Sequence, residues 1–440
     1  MDKLVIQGGR PLTGSIHVGG SKNTALPLMA AAVLADGVTT LHNMPVLNDV
    51  STFANVLRVS GCAVNYKPDD DPSTPDSMVI DATNVNHPEA PYDLVKKMRA
   101  SFYMLGALLG RCGKARVSLP GGCAWGPRPV DLHIKGMEAL GAEVTLEQGD
   151  VVAKAPGGRL KGGHFRFDPV SVGATINVML AAVLADGETV LDNVAAEPDV
   201  VVFGEMLQQM GAQIDGLGTK TLTIQGVERL NAVDFWNCPD RIELGTYMIA
   251  AVMAGKPGAT FEITGARAEH LGDAFPEAFR ATGADFSVRP ESDGPHEIVT
   301  VTVPEKIQPV SIVTDPYPGF ATDLQAQWTV MMTQAEGTSE ITDTIYTDRF
   351  KHIPELGRMG VECSVTDHTV AVQGHGRNGL SGATVMSTDL RASVSLVLAG
   401  MVADGETHVL RVYHLDRGYE DLEGKLSGAG IAIEREQYEE

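Results

Sequence analysis

Apolar and polar positions along this chain follow a pattern that recurs six times. Each copy opens on a long, alanine-rich apolar stretch, such as SKNTALPLMAAAVLADG from Ser21 or SVGATINVMLAAVLADG from Ser171. Apolar side chains run almost all the way round these segments, which predicts helices buried on every side. A glycine turn and a short strand follow, as in GETVLDNV. A second helix comes next, such as DVVVFGEMLQQMG from Asp199, with a polar face that predicts contact with solvent. Each copy then re-enters a strand through a Gly-x-x-apolar step, as in MGAQIDG. The remaining copies begin near MRASFYML, DRIELGTY, ATDLQAQW and TDLRASVS. They are spaced by roughly 70 to 80 residues, the length of a supersecondary unit with two helices and several strands.

Six such units in a linear solenoid need polar caps at both ends. No copy is atypical, so two globular halves of three units each are expected. One runs over 22–238, and the other combines 1–21 with 239–440. The N-terminal strand KLVIQGG is expected to pair with the C-terminal half, because chain ends must be tied somewhere. A cleft between two halves is a natural place for a ligand.

The chain has 440 residues, enough for two or three ordinary domains, and its 43% apolar content is that of a globular protein. No apolar run reaches the roughly 18 residues of a membrane span. The start, MDKLVIQGGRPLTG, lacks the basic and apolar segments of a signal peptide. A cytoplasmic protein with no membrane partner is expected. A net charge of -22 repels nucleic acid and removes that class of partner. The cysteines are Cys62, Cys112, Cys123, Cys238 and Cys363, an odd number without C-x-x-C spacing. That argues against a disulfide framework and against a zinc site. Four of them fall in apolar or element-end contexts and read as small core residues. Cys123 differs. It lies in LPGGCAWGPRPVDLH, an irregular stretch of glycines and prolines with Arg128 close behind.

The buried helices begin on Lys22 and Asn23, Arg99, Ser171 and Gly173, Asp240 and Arg241, Asp323, and Asp389 and Arg391. Asp and Ser are ordinary caps at such positions. Lys and Arg are mildly unfavourable there, by about 0.3–1 kcal/mol. Their recurrence at equivalent places points to an anion shared between helix N-termini and cationic side chains.

These residues lie in long motifs: GGSKNTALP, APYDLVKKMRAS, LPGGCAWGPRPVDLH, SVGAT, PDRIELGT, FATDLQAQ, TDRFKHIPELGRMG, STDLRASVSLVLAG and YHLDRGYE. From first strand to last helix the chain resembles the enolpyruvyl transferases, and within them the branch acting on a nucleotide sugar. The resemblance implies an α/β fold of two similar domains, an inside-out α/β barrel built from six βαβαββ repeats, three per domain. It implies that phosphoenolpyruvate gives its enolpyruvyl group to the 3-hydroxyl of UDP-N-acetylglucosamine with release of phosphate, the first committed step of peptidoglycan synthesis. It implies no metal and no organic cofactor.

By the same resemblance Cys123 is the general acid that protonates C3 of phosphoenolpyruvate. Gly121, Gly122 and Gly126 let its segment act as a lid. Cations nearby would lower the thiol's pKa and make it reactive, open to alkylation by the epoxide fosfomycin. Lys22, Asn23, Arg128, Arg391 and Arg417 are implied to hold the phosphate and carboxylate, since a multiple anion needs several cations to leave water. Asp323 is implied as the base for the attacking hydroxyl; the alternative is that it serves only as a helix cap and sugar anchor. The nucleotide sugar is expected along Arg99, along Arg128, Pro129, Val130, Asp131 and Leu132, along Val170, Ser171, Val172 and Gly173, and at Asp323 and Ile345. Asp389 and Arg349 are expected to orient the cations. Trp125, Pro169 and Asp348 depart from residues common in the family, and Pro169 removes a side-chain contact to the nucleotide that some members make. The sister enzymes that act on shikimate 3-phosphate share the fold but lack the Cys-bearing lid and the RPVDLH segment. A silent nucleotide-sugar-binding relative is disfavoured by the joint presence of Cys123, Lys22, Arg391 and Asp323. A relative that processes RNA ends is disfavoured by the charge.

Overall fold

The computed structural model describes residues 1–67, 76–96, 98–120, 130–292, 294–377 and 379–439. Each of the six sequence copies contributes an inner helix. In chain order these are α1 (Lys22–Ala32), α3 (Met104–Cys112), α5 (Val172–Ala182), α7 (Arg241–Ala254), α9 (Gln325–Thr333) and α11 (Leu390–Val402). Each also contributes an outer helix: α2 (Asn48–Val59), α4 (Asp131–Ala139), α6 (Pro198–Gln209), α8 (Ala274–Ala281), α10 (His352–Arg358) and α12 (Leu422–Gly428). The inner helices are buried all round, as the apolar pattern requires. Every residue from Thr24 to Ala32 in α1, from Ala174 to Ala182 in α5 and from Ile242 to Ala254 in α7 is buried. The outer helices bury one face. In α2, Val50, Phe53, Val56 and Leu57 point inward, while Ser51, Asn55 and Arg58 are exposed.

Inner helices of one unit pack closely because small residues let their backbones approach. At Gly106 in α3, a Cβ atom would lie 2.1 Å from the backbone carbonyl oxygen of Asn177 in α5. The Asn177 side chain fills the crossing, accepting from Gly106 N at 2.7 Å and donating to Phe102 O at 2.9 Å.

Among the described residues, six four-stranded sheets cover the helices, all with one connectivity. In each, an edge strand runs parallel to a second, which pairs antiparallel with a third, which pairs antiparallel with a fourth. The strand Lys114–Ser118, for example, runs parallel to Glu89–Ala90 and antiparallel to Asp150–Lys154, which pairs with Glu143–Glu147. The chain divides into a continuous unit, Gly20–Cys238, and a composite unit made of Met1–Gly19 and Pro239–Glu440, each with three sheets and its own apolar core.

Two sheets are closed by strands borrowed from across a linker. Ser15–His17 precedes α1 in the chain, yet it pairs in the composite unit with Thr260–Ala266, the strand after α7. Asp234–Trp236 precedes α7, yet it pairs in the continuous unit with Val38–His42, the strand after α1. The N-terminal strand Asp2–Gln7 inserts antiparallel between Glu406–Leu410 and Ala432–Gln437. It occupies the place that a late hairpin strand fills in the other five sheets. No helix among the described residues is long and apolar enough to cross a membrane.

Candidate active site

In the continuous unit the N-terminal end of α1 is fixed by its neighbours. The Ser21 hydroxyl accepts from Thr24 N at 3.2 Å and donates to Asp199 Oδ1 at 3.1 Å, and the Thr24 hydroxyl donates to the same oxygen at 2.7 Å. Lys22 takes the first helical position, with Nζ 3.3 Å from Asp49 Oδ2 and both side chains largely buried. A lysine is unfavourable at that position, and the Asp49 carboxylate offsets the cost. Asn23 follows, half-buried. Pro27 lies four residues further on and has no N–H to give the Asn23 carbonyl, so that acceptor is left out of the helical ladder.

The starts of α4 and α5 meet at a histidine. His133 is 3% exposed, and its Nδ1 accepts from the Asn177 amide at 2.9 Å. That amide is oriented by its own bond from Gly106 N, so Nε2 of His133 carries the proton. Nε2 has no hydrogen-bond partner among the described residues, and it lies 3.6 Å from where a Cβ on Gly173 would sit. Burial, and then the Arg99 guanidinium, push the imidazole pKa down to about 3, so the ring is a neutral donor. Val170, Ser171, Val172 and Gly173 are half-buried at the start of α5, where the Ser171 hydroxyl accepts from Ala174 N at 3.2 Å. A neutral N–H donor and a helix N-terminus thus lie side by side, an arrangement suited to an anionic group. Arg99 opens the short 3-10 helix that leads into α3. Val130 and Leu132 are half-buried, and Asp131 is exposed in an ion pair with Lys135 at 3.2 Å. Cys123, Arg128 and Pro129 lie outside the described residues, as does Trp125.

The composite unit builds a second constellation around Asp323. Its carboxylate receives Arg349 Nη2 at 2.7 Å on Oδ1 and Arg391 Nη2 at 3.3 Å on Oδ2, while a quarter of the side chain remains exposed. Burial favours the neutral acid, but Arg391 and Arg349 overcome it and hold the carboxyl well below the usual range. Burial likewise works against the Arg391 charge, and Asp323 beside it raises its pKa overall. Arg391 Nη1 also donates to Tyr419 Oη at 3.2 Å, with the guanidinium carbon 5.6 Å from the ring centroid. Tyr419 Oη is held in turn by Thr246 Oγ1 at 2.8 Å and by Gln327 Nε2 at 3.2 Å.

Asp389 caps α11 by accepting from the backbone N–H groups of Arg391 and Ala392. It therefore fixes where Arg391 starts rather than gripping its guanidinium. Arg417 ends the 3-10 helix Val412–Arg417, and Ile345 is partly exposed with its N–H bound to Asp343 Oδ1 at 3.0 Å. Among the described residues no group of three or more His, Cys, Asp or Glu side chains is placed to hold a metal ion.

Lys22 is thus set against Asp49 in one unit, beside the Ser21 and Thr24 hydroxyls held by Asp199, and Asp323, Arg391 and Arg349 meet in the other. Asp49, Asp199, His133 and Asp343 carry no role in the sequence reading above. Asp49 and Asp199 share a legible signal, an acid in the first turn of an outer helix. Asp343, in a loop, has none.

Residues 6–426 match the family model described as EPSP synthase (3-phosphoshikimate 1-carboxyvinyltransferase). The chain is 51% identical over 441 residues to a protein of Chlorobaculum parvum and 50% identical to one of Chlorobium limicola, with all of each chain covered. Both relatives are named UDP-N-acetylglucosamine 1-carboxyvinyltransferase. Among solved structures, the enolpyruvyl transferase NikO from Streptomyces tendae superposes with a TM-score of 0.83 at 27% identity, covering 99% of this chain and 98% of that one. EPSP synthase from Acinetobacter baumannii superposes at 0.78 with 18% identity, covering 99% of this chain and all of that one, a likeness of fold alone.

Proposed function

The chain belongs to the EPSP synthase family of carboxyvinyltransferases, and from that premise we propose that it transfers the enolpyruvyl group of phosphoenolpyruvate to the 3-hydroxyl of UDP-N-acetylglucosamine, releasing phosphate. One observation carries the choice of acceptor: about half of all positions are identical, end to end, to relatives bearing that name. The reaction belongs to the start of peptidoglycan synthesis. Its substrates are small phosphorylated molecules that do not cross membranes unaided, so the reading carries a cytoplasmic location.

In the proposed mechanism Cys123 gives a proton to C3 of phosphoenolpyruvate, which makes C2 electrophilic. The sugar hydroxyl adds to C2 and its proton passes to Asp323. The tetrahedral adduct then returns a proton from C3 to the Cys123 thiolate and expels phosphate, which restores the double bond and the thiol. Lys22, Asn23, Arg128, Arg391 and Arg417 neutralise the phosphate and carboxylate. Arg99, Val130, Asp131, Leu132 and the 170–173 helix start receive the nucleotide, with Pro129 and Ile345 beside it. His133 supports this assignment, because its buried, unpartnered N–H lies beside that helix start. The Asp323 clamp supports the role of base. Two guanidiniums keep the carboxylate ionised at any working pH, so an acceptor is always available.

Phosphate release from phosphoenolpyruvate should require UDP-N-acetylglucosamine and should not occur with shikimate 3-phosphate. The reverse preference would overturn the reading. Cys123→Ala should abolish turnover and fosfomycin should inactivate the native chain. Cys123→Asp should retain turnover and escape the drug. A Cys123→Asp protein without turnover would mean the thiol does more than donate a proton.

A further inference from the structure

The clamp on Asp323 continues past its arginines to a buried carboxylate that the mechanism above leaves unused. Asp343 follows the strand Glu336–Thr342 and is fully buried. Its two oxygens do different work. Oδ1 accepts from Thr314 Oγ1 at 2.9 Å and from the backbone N–H groups of Ile345 and Tyr346 at 3.0 and 2.9 Å. Oδ2 accepts from Thr322 Oγ1 at 2.6 Å. A threonine hydroxyl has one proton to give. Having given it to Asp343, Thr322 meets Arg349 Nη1, 3.0 Å away, as an acceptor. The other terminal nitrogen of that guanidinium, Nη2, is 2.7 Å from Asp323 Oδ1. The guanidinium is a rigid planar fork, so holding one nitrogen aims the other.

We propose that Asp343 is a positioning residue for the transfer reaction, fixing through Thr322 and Arg349 the direction in which Asp323 faces the acceptor hydroxyl. The proposal rests on the reading of Asp323 as the proton acceptor. The Oδ1 arm braces the loop that carries Ile345; the Oδ2 arm sets the base. The two arms are separable by substitution. In Asp343→Asn the amide oxygen must stay with the three donors on Oδ1, which turns the NH2 group toward Thr322 and reverses that single hydrogen bond. Thr322→Val removes the same link from the other side without changing charge.

The test uses the full chain, steady-state kinetics with phosphoenolpyruvate and UDP-N-acetylglucosamine, and thermal unfolding as a control. Thr322→Val should lower kcat about tenfold, the loss expected from one charge-assisted hydrogen bond, with both KM values little changed. Thr322→Ser, which keeps the hydroxyl, should restore kcat to within about twofold. Asp343→Asn, which turns the link round, should lower kcat by no more than Thr322→Val does, and the double variant should fall no further than Thr322→Val alone. If Asp343→Asn does not fold, the valine and serine pair at position 322 still decides. Wild-type kcat in Thr322→Val, losses that multiply in the double variant, or a loss confined to KM or Tm would overturn the positioning role alone. Full turnover in Asp323→Ala would overturn the role of Asp323 as base, and that of Asp343 with it.

Discussion

At the scale of single residues, two buried histidines make a prediction about acid. His133 in the continuous unit and His352 in the composite unit are 3% and 1% exposed. Burial, with Arg99 near the first and Arg349 near the second, pushes both to about 3. Their folded pKa values lie below the unfolded value of about 6.5, so the unfolded chain takes up protons that the native chain refuses. Stability is therefore intact above pH 6.5 and falls as pH drops from there toward 3. Each histidine steepens the fall by up to about 1.4 kcal/mol per pH unit. Urea unfolding of His352→Gln between pH 7 and pH 4 should show a slope shallower by one proton; an unchanged slope would count against it. Lys22 and Arg391 were legible as candidates because a cation at a helix start breaks a local rule. Asp343 was not, since a carboxylate in a loop is the commonest sight in a chain with a net charge of -22. Only the fold tells a buried, bonded carboxylate from a solvated one.

At the scale of elements, the inner helices were readable because apolar residues circle them, and the structure buries α1, α5 and α7 accordingly. Close contact between helices was less so: Gly106 reads as a helix weakener, yet its missing side chain is what admits Asn177. Gly106→Ala should cost about 1–3 kcal/mol by overpacking, seen as a lower denaturation midpoint of the continuous unit. Unaltered stability would show that α3 and α5 can part freely. The strands Ser15–His17 and Asp234–Trp236 were beyond sequence reading for another reason. They are three residues long, and nothing in so short a run says which sheet it joins.

At the scale of the whole molecule, the two units differ in what they need. The segment 20–238 contains all three of its sheets and its own core. Expressed alone, it should unfold in one cooperative transition. The segment 239–440 lacks Asp2–Gln7 and Ser15–His17, so two of its sheets are incomplete. It should be molten or aggregate by itself and gain a cooperative transition when a peptide of residues 1–19 is added. A cooperative transition of 239–440 without the peptide would mean that the borrowed strands are dispensable. The net charge of -22 adds self-repulsion that salt screens, so Tm of the full chain should rise as potassium chloride increases. The placement of Asp2–Gln7 also sets a timetable for the ribosome. Asp2–Gln7 leaves the exit tunnel long before Ala432–Gln437, the strand it belongs beside. At about 5–20 residues per second, that opening segment waits roughly 20 to 80 s for its berth. Throughout that interval a nascent chain offers a naked hydrogen-bonding edge to anything nearby, which makes that segment a natural handhold for chaperones.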